Sequence, residues 1–336
     1  MEILKLKMSF SRLSDYDRNG SSALLDKKDN NNSIALNKGS LINDLLFETV
    51  DFNSKYTLKI YEKPTATLLR LANIIIENFV NIPTHEEVEK IIENNEFWKT
   101  TKKENIKSKY DLPEFWDYIT NQIKPDGKIA ITPSMKIEAD EIVYILRNHK
   151  HSSHFFDKNK YEIIPEYAFE VDYNLKDDTT ETDRTIILRG IVDMIVVDHI
   201  NKTIRLVDLK TGGDKASEFE YSFTKWRYYL QESVYMYAMD HIKELLGYSD
   251  YTTLNFQFLY IGLKEKIPVV FDVTDTWHEA ALNGFYTKSG THYKGLHQLI
   301  REVAYIWYNK EFETPYELLE KNGVVALNDD FSETNE

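Results

Sequence analysis

The stretch Gly190-Ile191-Val192-Asp193-Met194-Ile195-Val196-Val197-Asp198, followed after His199-Ile200-Asn201-Lys202 by Thr203-Ile204-Arg205-Leu206-Val207-Asp208-Leu209-Lys210-Thr211, decides the fold. Two apolar runs of strand length, rich in β-branched residues and joined by a polar-leaning loop, read as a β-hairpin. Val192, Met194, Val196 and Val207 fall on one face, and Ile191, Ile195, Val197, Ile204 and Leu206 on the other. Strands apolar on both faces lie mid-sheet with helices above and below.

Outward from the hairpin, Tyr167, Phe169, Val171 and Tyr173 alternate with Glu166, Ala168, Glu170 and Asp172, the period of a further strand. Thr224–Leu246 reads as one long helix, Leu254–Ile261 and Val269–Val273 as strands, and Trp277–Lys310 as largely helical. Toward the N-terminus, Ser9–Leu13 opens a short capped helix and Lys38–Glu48 carries Leu41, Ile42, Leu45 and Leu46 on one face. Residues 64–150 look mostly helical, broken at Pro83, Pro113, Pro125 and Pro133, with Thr84 capping a helix whose first turn is acidic. The order predicts an α/β fold, a central mixed sheet flanked by helices with an inserted helical region. The expected divisions are N-terminal helices of the core over 1–63, the helical insertion over 64–160, the catalytic core with C-terminal helices over 161–325, and a disordered acidic tail over 326–336.

Cysteine is absent from the 336 residues, which excludes disulfides, thiol nucleophiles and cysteine-held zinc or iron–sulfur centres. No apolar run is long enough to span a bilayer, so no membrane association is expected, and a reducing cytoplasm is the default. The formal charge of −14 weighs against nucleic acid but leaves a locally positive groove open. Basic residues gather in Lys99–Lys109, Arg147–Lys160 and Lys288–Arg301, each read as readily as a solvated face.

Three charged residues interrupt the hairpin: Asp193, Asp208 and Lys210. Burying charge is costly unless it is paired or holds a metal. If Asp198 faces Thr203, the same register sets Asp193 opposite Asp208, and Lys210, two residues on, points to that face. Two such carboxylates resist joint ionisation unless a cation lies between them. Mg²⁺ suits oxygen ligands of this kind, and an adjacent ammonium can orient water or stabilise a phosphate in its transition state. The set suits phosphodiester hydrolysis.

Gly190-x-x-Asp193, Asp208-x-Lys210-Thr211 and Gln231-x-x-x-Tyr235, in that order, resemble the RecB-type branch of the PD-(D/E)XK nuclease superfamily. The resemblance implies a restriction-endonuclease-like core. It implies Mg²⁺ or Mn²⁺ on Asp193 and Asp208, with Lys210 assisting the water and no iron–sulfur cluster. It further implies that Gln231 and Tyr235 contact substrate or order the catalytic groups, with Thr211 at the substrate. Pro165-Glu166-Tyr167-Ala168-Phe169 is similar to the strand carrying a third carboxylate, which favours Glu166 over its rival Glu170 as catalytic residue and metal ligand. Ser9-x-Ser11-x-Leu13 and Gly39-Ser40-Leu41-Ile42-Asn43 resemble the N-terminal helices; Asn43 stands where the usual element has histidine, and in this the element is similar to phage exonucleases of the RecE and λ types.

On this resemblance the expected activity is metal-dependent hydrolysis of DNA, as an exonuclease at duplex ends in phage-type recombination or repair, in a host bacterial cytoplasm. The alternatives are an endonuclease on the same scaffold and a catalytically silent DNA-binding protein. DNA is the expected partner; a single-strand annealing protein and self-association are compatible with the relatives. Tyr235 reads equally as helix core, His149, His151 and His154 as a solvated loop, and Trp226 with Arg227 and Tyr228 as core packing or a stacking surface for a frayed strand.

Overall fold

Strand pairing follows the register expected for the hairpin. The computed structural model describes residues 5–25, 34–58, 64–79, 81–123, 128–176, 183–213, 215–313 and 315–316, so Pro125 and the acidic tail lie outside the described residues. Asp198 pairs with Thr203, and the ladder runs on to Met194 and Val207.

The main sheet comprises β1 (Leu6–Ser9), β2 (Glu162–Lys176), β3 (Asp183–Asp198), β4 (Thr203–Gly212), β5 (Thr252–Thr253), β6 (Gln257–Gly262) and β7 (Pro268–Asp272). β2 lies antiparallel along β3. The other edge of β3 is shared: β1 runs parallel at Ile186–Arg189, and β4 antiparallel at Met194–Asp198. β4 pairs parallel with β6, and β6 antiparallel with β7. A parallel neighbour requires a crossover, supplied here by the helices between β4 and β6. The expected mixed α/β architecture is what the chain adopts.

The β2–β3 ladder is interrupted at one point. Pro165 pairs with Met194 and Tyr167 with Val192, but no pairing joins Glu166 to Asp193, and Glu166 has a left-handed φ of 47°. The register is the same on both sides, so neither strand gains a residue. Yet Ile186, Leu188 and Val192 before the gap, and Ile195 and Val197 after it, all enter one core. The strand shifts its inward-facing positions by one residue at Asp193. Local disruption of this kind re-aims side chains.

That core is closed by helices at Phe10–Asn19, Phe219–Lys225, Tyr228–Tyr237, Met239–Leu246, Asp275–Asn283 and Leu296–Asn309, which contribute Leu13, Phe223, Leu230, Val234, Leu299 and Val303 among others. Truncating such a leucine to alanine typically costs about 2–5 kcal/mol. Among the described residues no helix is long and apolar enough to cross a membrane.

Three expectations change. The single helix over Thr224–Leu246 is divided, because Arg227 takes a left-handed φ of 58° and ends one helix before the next begins. Its guanidinium meets Asp17, a partner that local periodicity cannot reveal. Ile191, read as covered, is 56% exposed: it lies beyond the point where β4 parts from β3 and lines a cavity instead. Between the last two helices, Phe285–Tyr286 pairs with His292–Tyr293, which the largely helical reading of that segment did not include.

The chain forms two compact units, Met1–Asn32 with Tyr144–Glu336, and Ser33–Val143. The sequence reading drew its divisions at 63 and 160. The second unit has its own core, in which Leu71, Ile75, Val88, Ile92, Phe115 and Ile119 meet. Its Thr84 caps helix His85–Asn94 through a reciprocal box with Glu87, as the acidic first turn foretold. Pro113 and Pro133 begin helices, where their missing N–H is harmless.

Candidate active site

Asp193 does not simply face Asp208 across the ladder. The ladder stops at Met194–Val207, and the Asp193 carboxylate accepts the Leu209 N–H at 2.8 Å in place of a strand partner. Its charge is thereby held beside Asp208, which is only 2% exposed. Lys210 Nζ stands 2.7 Å from Asp208 Oδ2. The three residues expected to converge do so.

Their electrostatics follow from this crowding. Burial, then the Asp208 charge, pushes the Asp193 carboxyl well above the ordinary aspartate range; Lys210 and the Leu209 N–H oppose the shift, and Glu166 adds to it. For Lys210, burial works to lower the pKa, but Asp208 and Asp193 outweigh it and hold the amine above its usual value. The lysine is therefore an ammonium donor.

Helix Tyr228–Tyr237 supplies the next layer. Gln231 Nε2 donates to Asp208 Oδ1 at 2.5 Å and to Tyr235 Oη at 3.2 Å, and Tyr235 donates onward to the Ile191 carbonyl at 2.8 Å. Residues four apart lie on one helix face, so one helix can clamp both strand β4 and strand β3. Tyr228, on the same helix, turns its ring toward Lys210, whose Nζ is 4.6 Å from the ring centroid. Sequence reading gave Tyr228 no such role; the signal was an aromatic three residues before Gln231.

Of the remaining candidates, Glu166 acts on the Asp193 charge, whereas Glu170 pairs with Arg189 in the ladder and bonds the Lys7 ammonium at 2.8 Å. Among the described residues, no three acidic or histidine side chains form a group that could hold an ion. Thr211 pairs with Ile261, and strand alternation sends its side chain to the face opposite Asp208 and Lys210. Asn43 belongs to helix Ile34–Phe47 of the second unit.

Some of the basic residues are answered by acids. Lys99, Lys103 and Lys107 pair with Glu96, Glu93 and Asp111. Lys294 pairs with the buried Glu302, and Tyr173 and His297 share a 2.5 Å hydrogen bond.

A cavity of about 640 Å³ opens beside this centre, lined by Ser9, Ser11, Arg189, Gly190, Ile191 and Tyr235 among others. The family model of the PD-(D/E)XK nuclease superfamily matches residues 132–317. The chain belongs to the PD-(D/E)XK nuclease superfamily. No curated protein matches it. The matched PD-(D/E)XK segment contains β2 to β7 and the clamping helix, hence every member of the Asp193–Asp208–Lys210 group.

PD-(D/E)XK proteins are generally metal-dependent nucleases. The donors here fit a hard divalent cation: two adjacent oxygen ligands, one of which resists ionisation because it is buried and because the other is near.

Proposed function

We propose that this protein is a Mg²⁺- or Mn²⁺-dependent deoxyribonuclease, acting as an exonuclease at duplex DNA ends in phage-type recombination or repair. The observation that carries this reading is the meeting of Asp193, Asp208 and Lys210, with a lysine held as ammonium 2.7 Å from the buried aspartate.

Asp193 and Asp208 would hold the ion, with Glu166, whose charge acts on Asp193, as the further carboxylate to join them. Charge neutralisation of the phosphate and activation of water are the chemistry supplied there. Lys210 donates to the attacking water or to a phosphate oxygen, where positive charge counts most as negative charge builds. Gln231 fixes the rotamer of Asp208 by its 2.5 Å hydrogen bond, and Tyr235 fixes Gln231. Tyr228 stacks under Lys210 and limits where the ammonium can swing. The exonuclease assignment rests on the likeness of the Gly39–Asn43 element to the RecE and λ types, which also makes a single-strand annealing protein the partner to seek.

The test is digestion of an end-labelled linear duplex beside a closed circle of the same sequence. Mg²⁺-dependent release of label, stopped by chelator and absent on the circle, is the expected result. Cutting of the circle would reassign the enzyme as an endonuclease. No cleavage with Mg²⁺ or Mn²⁺, alongside retained DNA binding, would mark a silent member of the fold.

A further inference from the structure

The turn from Lys225 to Tyr228 is arranged against the ordinary preference of its side chains. Trp226 is 43% exposed, while the charged Arg227 beside it is drawn inward. Arg227 adopts a left-handed backbone, unfavourable for an L-residue, and is secured by Asp17 at 2.5 Å and by the Tyr293 ring 5.4 Å from its guanidinium. Hydrophobicity alone would place the indole inside and the guanidinium outside. A backbone in an unfavourable region, held there by surrounding contacts, commonly marks a functional position.

The outward indole is set between cations. The Arg18 guanidinium lies 5.7 Å from its ring centroid and the Lys225 ammonium 5.1 Å. Arg18 is itself anchored by Ser14 at 2.9 Å. A hollow of about 260 Å³ extends from Trp226 to Tyr228, bounded also by Phe10, Ser11, Arg18 and Asp15. Asp15 is engaged by Asn19 at 2.6 Å. The far wall, Tyr228, is the ring that carries the Lys210 ammonium. The hollow therefore runs from an exposed aromatic plane, flanked by Arg18 and Lys225, to the ring that carries the active-site lysine.

We propose that Trp226 is a stacking platform for an unpaired nucleobase of the DNA strand, with Arg18 and Lys225 receiving the adjoining phosphates. The inference rests on the nuclease reading above and adds to it a subsite for single-stranded substrate. An indole face flanked by cations complements a base and its phosphate, and stacking tolerates any sequence because every base has a π-face. A base within an intact duplex has both faces covered by its neighbours, so the occupant is a frayed or overhanging nucleotide.

The experiment measures binding, not cleavage, in chelator. Labelled oligothymidylate strands carry one abasic position moved along the chain, and affinities are read by fluorescence anisotropy for the full-length wild type, Trp226→Ala and Trp226→Phe. For the wild type, one abasic register should lose about 10-fold in affinity, the size expected for one stacked base. Trp226→Ala should lose a similar factor on the intact strand and show no further loss at that register, and Trp226→Phe should recover part of it. Arg18→Ala should weaken every strand alike and flatten the salt dependence. The proposal is overturned if Trp226→Ala keeps the wild-type affinity and abasic profile, or if the wild type binds no single strand. Because Trp226 is exposed, thermal melting of the variant should match the wild type; were it to misfold, the wild-type abasic scan and Trp226→Phe still decide. Failure of the nuclease reading would appear separately, as absence of metal-dependent cleavage with this binding profile intact.

Discussion

The Cβ that Gly190 lacks would sit 2.7 Å from Cε1 of Tyr235. The glycine that opens the Gly190-x-x-Asp193 element and the tyrosine that closes Gln231-x-x-x-Tyr235 are thus complementary surfaces. Each needs the other's shape for the helix to reach β3 and donate to the Ile191 carbonyl.

Gly190→Ala should therefore be felt in both stability and activity. The added methyl would also meet the Phe169 ring at 2.8 Å, so two packed aromatics must shift. Overpacking of this kind costs about 1–3 kcal/mol. Urea denaturation should show a lower midpoint, with cleavage reduced because Asp193 lies three residues along the same strand. An unchanged midpoint would mean that the helix sits farther from β3.

Gln231→Ala removes the donor to Asp208 and to Tyr235 in a buried setting. Leaving such groups unsatisfied costs about 1–3 kcal/mol. Since Gln231 is assigned to orient Asp208, not to bind DNA, kcat should fall more than KM rises. A change confined to KM would instead place Gln231 at the substrate.

Much of this site was legible before any coordinates. The loop His199–Lys202 fixed the hairpin register from Asp198–Thr203 to Met194–Val207, but the ladder ends there, and Asp193 is held beside Asp208 by accepting the Leu209 N–H and not by strand pairing. The spacing of Gln231 and Tyr235 predicted one helix face. What stayed hidden depends on contacts remote in sequence. Arg227 breaks its helix through Asp17, and the gap at Glu166–Asp193 interrupts a ladder whose residues alternate without any visible irregularity. Tyr228 was hidden for a different reason. An aromatic residue among other aromatics on a helix reads as core, and only the position of Lys210 distinguishes it.

Lys210→Ala should lower the rate of cleavage far more than DNA affinity. An ammonium that acts on developing charge is worth more in the transition state than in the ground state, so a loss of about 100-fold or more in kcat is expected. Single-turnover rates set against binding measured in chelator separate the two. Equal losses in both would make Lys210 a binding lysine.

A pH effect on stability should arise outside the active site. Glu232 is buried, its Oε1 joined to His278 Nδ1 at 2.8 Å. Burial raises the Glu232 pKa, and the hydrogen bond to Glu232 raises that of His278 above its usual 6.5. A histidine with a raised folded pKa contributes its full stabilisation below the unfolded value and loses it as pH climbs through the folded one. The thermal midpoint should therefore decline from about pH 6.5 upward, and His278→Gln should abolish that decline and lower the midpoint at pH 6. A wild-type midpoint that is flat or rising over this range would contradict the assigned pairing.

The central claim is that the acid pair beside Lys210 is the hydrolytic centre. Asp208→Asn tests it most directly, because asparagine keeps the shape and can still accept from Gln231 while discarding the charge. With saturating Mg²⁺ and an end-labelled duplex, the variant should fold normally and cleave at least about 100-fold more slowly than the wild type. Cleavage by Asp208→Asn at the wild-type rate would contradict the account.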